Sequence, residues 1–161
     1  MKQKLQKYLS GEREGFSLVE LIIVIAIMAI LIGIVALAVI PYLEKSRVGK
    51  DQQTVDTVYS AFQTTIADQK VTANARVEIK NGADAVPSGA ADDAFVKALA
   101  EALSATDKTD LHAGTSDKLE SADAKGQSII CNYDATNKTI QVWAGAADYA
   151  SAPIKSSNKA N

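Results

Sequence analysis

An α+β fold is predicted, in which one long N-terminal helix carries a small antiparallel β-sheet. Three observations predict it: an unbroken apolar run from Leu21 to Ile40, a one-sided apolar pattern after Pro41, and two β-rich segments near the C-terminus. The chain has 161 residues, and the apolar run is not available to the core of a soluble domain. We therefore expect an apolar helical segment followed by one modest globular head.

The apolar run comprises twenty consecutive residues that are apolar or Gly. In a helix with a rise of about 1.5 Å per residue it reaches roughly 30 Å, the hydrocarbon thickness of a bilayer. Apolar residues occupy every face, which excludes an ordinary amphipathic surface helix. Three interpretations remain: a permanent membrane anchor, a secretory signal peptide, and the spine of a fibre subunit.

The signal-peptide interpretation rests on a basic leader and a small-x-small cleavage site. The site lies at Ala36-Leu37-Ala38, and cleavage after Ala38 would release a soluble binding domain; the basic residues are Lys2, Lys4, Lys7 and Arg13. Against it, the apolar run is longer than the usual signal-peptide core, and Glu20 stands at its start. A plain anchor also leaves Glu20 unexplained, because a carboxylate inside a membrane segment costs about 3 kcal/mol, falling towards zero at the headgroups.

The sequence Gly15-Phe16-Ser17-Leu18-Val19-Glu20 separates a short charged leader from the apolar run. This arrangement resembles the prepilin peptidase site of type IV pilins, and the resemblance covers roughly residues 1–45. It implies cleavage between Gly15 and Phe16, N-methylation of the new N-terminal Phe16, and a part in assembly for Glu20.

The properties of these residues suit the cleavage and the assembly that the resemblance implies. Gly15 has no Cβ to obstruct a peptidase. Cleavage creates an ammonium at Phe16, and in a dry fibre core this ammonium and the Glu20 carboxylate are each unfavourable alone but tolerable as a pair. In the family mechanism that the resemblance implies, the amine of one subunit neutralises the glutamate of its neighbour while the aliphatic helices pack.

Gly33 and Pro41 are predicted weak points of the helix. Pro lacks a backbone donor and clashes with the preceding turn, so we expect the helix to bend or loosen just before Pro41. Resemblance to pilins suggests that the segment between Gly33 and Pro41 loses helical order in the fibre.

The helix is predicted to extend from about 17 to 69, with a one-sided stripe after Pro41. The stripe contains Val48, Val55, Tyr59, Phe62 and Ile66. An extended piece is expected at 76–80 and a loop from 81 to 90, and Asp92 or Asp93 is expected to cap a short helix that carries Phe95 and Leu99.

Residues 104–126 are polar and predict a surface loop. Segments 127–133 and 139–144 are β-rich and predict an antiparallel hairpin, and the tail after Ala150 is expected to fray. A long helix with a small sheet against it is the pilin-like architecture that the resemblance implies.

No residue pattern indicates an enzyme, a cofactor or a metal site. Cys131 is the only cysteine, which excludes an intramolecular disulfide and predicts a buried strand residue. His112, the only histidine, is expected to be a solvated surface residue. The acidic residues between 107 and 123 match no calcium loop, and Trp143 is predicted to be a core residue. The formal net charge of −2 and the lack of basic clusters give no support to direct nucleic-acid binding.

The resemblance divides the chain into a leader (1–15), a membrane and filament-core helix (16–40), an amphipathic second half of the spine (41–69) and an α+β head (70–161). It implies a structural subunit of a type IV pilus, stored as a single-pass protein in the cytoplasmic membrane and assembled into an extracellular homopolymer for adhesion or surface motility. The implied partners are other pilin subunits, a prepilin peptidase, the pilus assembly machinery and the membrane. A type II secretion pseudopilin and a competence pilin remain alternatives.

Overall fold

The computed structural model describes residues 16–105 and 110–157. The chain divides into two compact units, one ending at Pro41 and the other beginning at Tyr42. Helix α1 (Leu18–Asp68) contains the boundary between the units. The predicted leader, including Gly15, lies outside the described residues.

The first unit contains the apolar part of α1. Every described residue from Phe16 to Leu43 is exposed, because the side chains surround a single helix and cannot reach one another across it. Residues 33–41 are helical, with Pro41 inside α1. Loss of helical order between Gly33 and Pro41 in a fibre stays a prediction.

The second unit is an α+β domain, as the sequence predicts. After α1 come β1 (Ala75–Ile79), β2 (Val86–Gly89), α2 (Asp93–Ala102), the single turn α3 (Leu111–Gly114), a 3₁₀ turn (Ser116–Lys118), β3 (Ile129–Asp134), β4 (Thr139–Ala144) and β5 (Ile154–Lys155). The strands form one antiparallel sheet in the order β2-β1-β3-β4-β5.

The core lies between the second half of α1, helix α2 and one face of the sheet. Helical spacing places Val55, Tyr59 and Phe62 on one side of α1, and all three are buried. Because side chains of a strand alternate between the two faces of a sheet, Val77, Cys131 and Val142 lie on one face, and all three are buried. The rings of Phe62 and Phe95 meet edge to face at 5.6 Å, which joins α1 to α2.

Local signals hold two elements in place. Asp92 is the N-cap of α2, and its carboxylate accepts a hydrogen bond from the Phe95 backbone N–H at 2.8 Å. Asp134 closes the β3–β4 hairpin by accepting from Thr136 N at 2.8 Å and from the Asn137 side-chain amide at 2.7 Å. Both the cap and the hairpin agree with the sequence prediction.

Four expectations about the elements of the second unit were wrong. The segment predicted as a loop contains β2, because an edge strand needs only one neighbour and so tolerates Pro87. The predicted surface loop at 104–126 contributes Leu111, Leu119 and Ala124 to the core, and the predicted frayed tail forms β5 with Ile154 buried. Val48 is exposed rather than part of the buried stripe.

Candidate assembly site

The start of α1 brings Ser17 and Glu20 together. Ser17 N–H donates to Glu20 Oε2 at 3.0 Å, and Val19 N–H donates to Ser17 Oγ at 3.4 Å. Ser17 is therefore the N-cap of α1, and the Glu20 side chain reaches back to the Ser17 N–H as the glutamate of a capping box does, which forms one of the two hydrogen bonds of that motif. The arrangement places the predicted assembly glutamate in the first turn of the helix.

Phe16 precedes this box and is 88% exposed. Phe16 and Glu20, the two predicted assembly residues, therefore lie at the same end of α1, whereas Gly33 and Pro41 lie further along it. The sequence suggested the Phe16–Glu20 pairing but missed Ser17 as a cap, although Ser-x-x-Glu before an apolar run is a recognisable signal.

The apolar surface of α1 begins directly after the box. Among the described residues α1 is the one helix long and apolar enough to cross a membrane, and none of its most apolar window is buried. An apolar helix without internal contacts needs an apolar environment, either lipid or other helices.

In the part of the head that the structure describes, the side chains with reactive groups do not form a metal centre or an activated nucleophile. No group of three His, Cys, Asp or Glu side chains there could hold a metal ion. Cys131 is fully buried, and this burial raises the pKa of its thiol, which makes it a poor nucleophile. Trp143 is also buried, with its indole N–H donating to Ala146 O at 3.0 Å.

His112 differs from the sequence expectation of a solvated residue. Its Nδ1 lies 2.7 Å from Asp117 Oδ2, and its side chain is 22% exposed. Asp117 Oδ1 accepts from Gly82 N–H at 2.9 Å. The pKa of Asp117 is lowered, chiefly because its carboxylate accepts the hydrogen bond from His112. Partial burial opposes this effect, and the hydrogen bond from Gly82 adds to it. Asp117 thus joins α3 through His112, and the β1–β2 turn through Gly82, to the 3₁₀ turn.

These features define the chain as a protein with an exposed apolar N-terminal helix followed by a separately packed α+β unit. Residues 12–39 match the family of the prokaryotic N-terminal methylation motif. This match covers the N-terminal segment and supports a prepilin-type protein of the type IV pilin-like or pseudopilin kind, and the long helix with its five-stranded sheet is a pilin-like architecture. No curated protein and no solved structure gives a significant match to the chain.

The motif also indicates how the chain is processed and assembled. It implies processing by a prepilin peptidase and assembly into pili, and it fits a single-pass membrane precursor. Proteins of this kind are structural rather than enzymatic.

Proposed function

We propose that this protein is the structural subunit of a type IV pilus filament, used for adhesion or surface motility. The subunit is stored in the cytoplasmic membrane through α1 and polymerises through the same helix into an extracellular fibre. The observation that carries the proposal is the coincidence of the methylation motif at residues 12–39 with an apolar helical surface exposed from Phe16 to Leu43.

The physical support comes from the two ways in which such a surface can be covered. Lipid covers it in the precursor, and the helices of other copies cover it in a fibre. The second unit does not need α1 before Tyr42 for its own core, since its buried side chains begin at Asp51. The first part of the helix is thus left available for assembly.

The proposal assigns a task to each part of the chain. Residues 1–15 are a leader removed by cleavage between Gly15 and Phe16, 16–40 form the membrane and filament-core segment, 41–69 complete the spine, and 70–161 form the head. Phe16 carries the N-methyl group, and its ammonium pairs with Glu20 of a neighbouring subunit. Gly33 and Pro41 mark the segment that loses helical order in the fibre.

Mass spectrometry of the mature N-terminus tests the processing. We expect a chain that begins at methylated Phe16. A chain that begins at Val39 would instead establish signal-peptide cleavage and refute the proposal.

Shearing the cells tests the assembly. A pilus subunit is recovered in long fibres. Recovery only with secretion components would identify a pseudopilin, and recovery only with DNA-uptake components would identify a competence pilin.

Glu20→Ala tests the ion pair. The variant loses the carboxylate but keeps the apolar helix, so we expect normal membrane insertion and a loss of sheared fibre on the order of 100-fold, because an unpaired ammonium in the fibre core is strongly unfavourable. Glu101→Gln is the control, since Glu101 is an exposed carboxylate in α2. Normal fibre yield from Glu20→Ala would contradict the pairing.

A further inference from the structure

A buried carboxylate on α1 holds a segment that lies about seventy residues further along the chain. Asp51 is fully buried. Its Oδ1 accepts from Glu120 N–H at 2.9 Å, and its Oδ2 accepts from Ser121 N–H at 2.9 Å and from the Ser121 hydroxyl. Three donors compensate the carboxylate for the water it loses on burial.

Asp56 repeats the arrangement at the C-terminal segment. Its Oδ1 accepts from Ser157 N–H at 2.7 Å, and its Oδ2 accepts from the Ser157 hydroxyl at 2.7 Å. One turn earlier, the Gln52 side-chain amide donates to Lys155 O. The other side of this segment pairs with the sheet, where Ser156 N–H donates to Val142 O at 2.8 Å. The C-terminal segment is therefore held between the sheet and α1.

Exposed contacts surround the Asp51 site. Glu44 Oε1 accepts from Ala122 N–H, and Lys50 Nζ lies 2.6 Å from Glu120 Oε1. The Lys50 and Glu120 side chains are 55% and 50% exposed, so their ion pair contributes little. The attachment of residues 120–122 depends mainly on the buried carboxylate.

We propose that Asp51 and Asp56 form a carboxylate clasp, which fastens segments 120–122 and 155–157 to α1 and takes the place of a covalent cross-link in a head with a single cysteine. Both segments contain or border lysines: Lys118 and Lys125 flank the first, and Lys155 lies in the second. A closed clasp keeps these stretches packed against α1, where a protease cannot enclose them in its binding cleft. The inference concerns the folded head and does not depend on assembly into fibres.

Limited trypsin digestion of the full chain in detergent micelles tests the clasp. In Asp51→Asn, an amide NH₂ group replaces one of the two carboxylate oxygens, so one set of donors in residues 120–121 loses its acceptor. We therefore expect segment 120–122 to detach from α1 more often. We expect cleavage after Lys118 and Lys125 to accelerate on the order of 10-fold to 100-fold, relative to cleavage after Lys138 in the exposed hairpin turn. Asp68→Asn, an exposed change on the same helix, is the control and should leave these rates unchanged.

Asp56→Asn tests the attachment of segment 155–157 separately from that of segment 120–122. We expect faster cleavage after Lys155 without the same acceleration at Lys118. If Asp51→Asn fails to fold, Ser121→Ala replaces it, because this change removes only the hydroxyl donor and should accelerate cleavage at Lys118 several-fold. The clasp is refuted if the Asp51 and Asp56 variants behave like Asp68→Asn, or if they accelerate cleavage equally at all lysines.

Discussion

At the scale of single residues, several carboxylates of this protein act as acceptors for backbone N–H groups. Glu20 caps the start of α1, Asp92 caps α2, and Asp51 holds residues 120–121. A carboxylate suits this task because its hydrogen bonds to N–H groups are charge-assisted. The first two acceptors are local and lie within three residues of their donors, whereas Asp51 acts across the chain.

The Asp117–His112 pair leads to a prediction about pH. The folded-state pKa of Asp117 is lowered, so its stabilising contribution is present above the unfolded value of about 3.9 and is lost as the pH falls through the folded value. We expect Asp117→Asn to reduce the free energy of unfolding by roughly 0.5–1 kcal/mol at pH 7, a small effect because solvent screens the partly exposed pair.

Urea unfolding in detergent micelles, followed by Trp143 fluorescence, measures this difference at pH 7, 5 and 3. The gap between wild type and Asp117→Asn should be smaller at pH 3 than at pH 5 and 7. A gap that is the same at all three values would show that Asp117 stabilises the turn without its charge.

At the scale of elements, α1 changes character between Val48 and Val55. Val48 is 37% exposed and Val55 is fully buried, although the same periodic pattern placed both in one stripe. The stripe predicts which side of the helix is apolar. It does not predict at which residue the rest of the second unit begins to cover that side, because this depends on how far the loops of that unit extend along α1. The buried side chains of α1 begin at Asp51.

Paired substitutions test this boundary with identical chemistry. Val55→Ala should lower the free energy of unfolding by roughly 2 kcal/mol, because it leaves a cavity in the core. Val48→Ala should change it by less than about 0.5 kcal/mol. Urea unfolding of both variants measures the difference, and equal losses would place Val48 in the core.

At the scale of the whole molecule, the head is an antiparallel sheet covered on one face by α1 and α2, with its single thiol in the central strand β3. Cys131 faces Val77 on one neighbouring strand and Val142 on the other. A thiol at this position is shielded from solvent until the sheet opens.

Maleimide labelling of Cys131 should therefore report global unfolding. We expect native labelling at pH 8 to be on the order of 100-fold slower than at an engineered Ser60→Cys, which lies exposed on α1. Adding urea should raise the Cys131 rate across the unfolding transition seen by fluorescence. Rapid labelling of Cys131 without urea would contradict the buried, closed sheet.

The apolar helix, the Asp92 cap and the β3–β4 hairpin could be predicted from the sequence, because each depends on near neighbours along the chain; the Gly15–Phe16 junction is a motif of the same local kind. Strands β2 and β5, the buried segment around Leu119 and the Asp51 contacts became apparent in the folded chain. The difference lies in the range of the interactions. Caps, turns and periodic patterns act within a few residues, whereas an edge strand or a buried Asp51 is stable only when a distant segment supplies its partner.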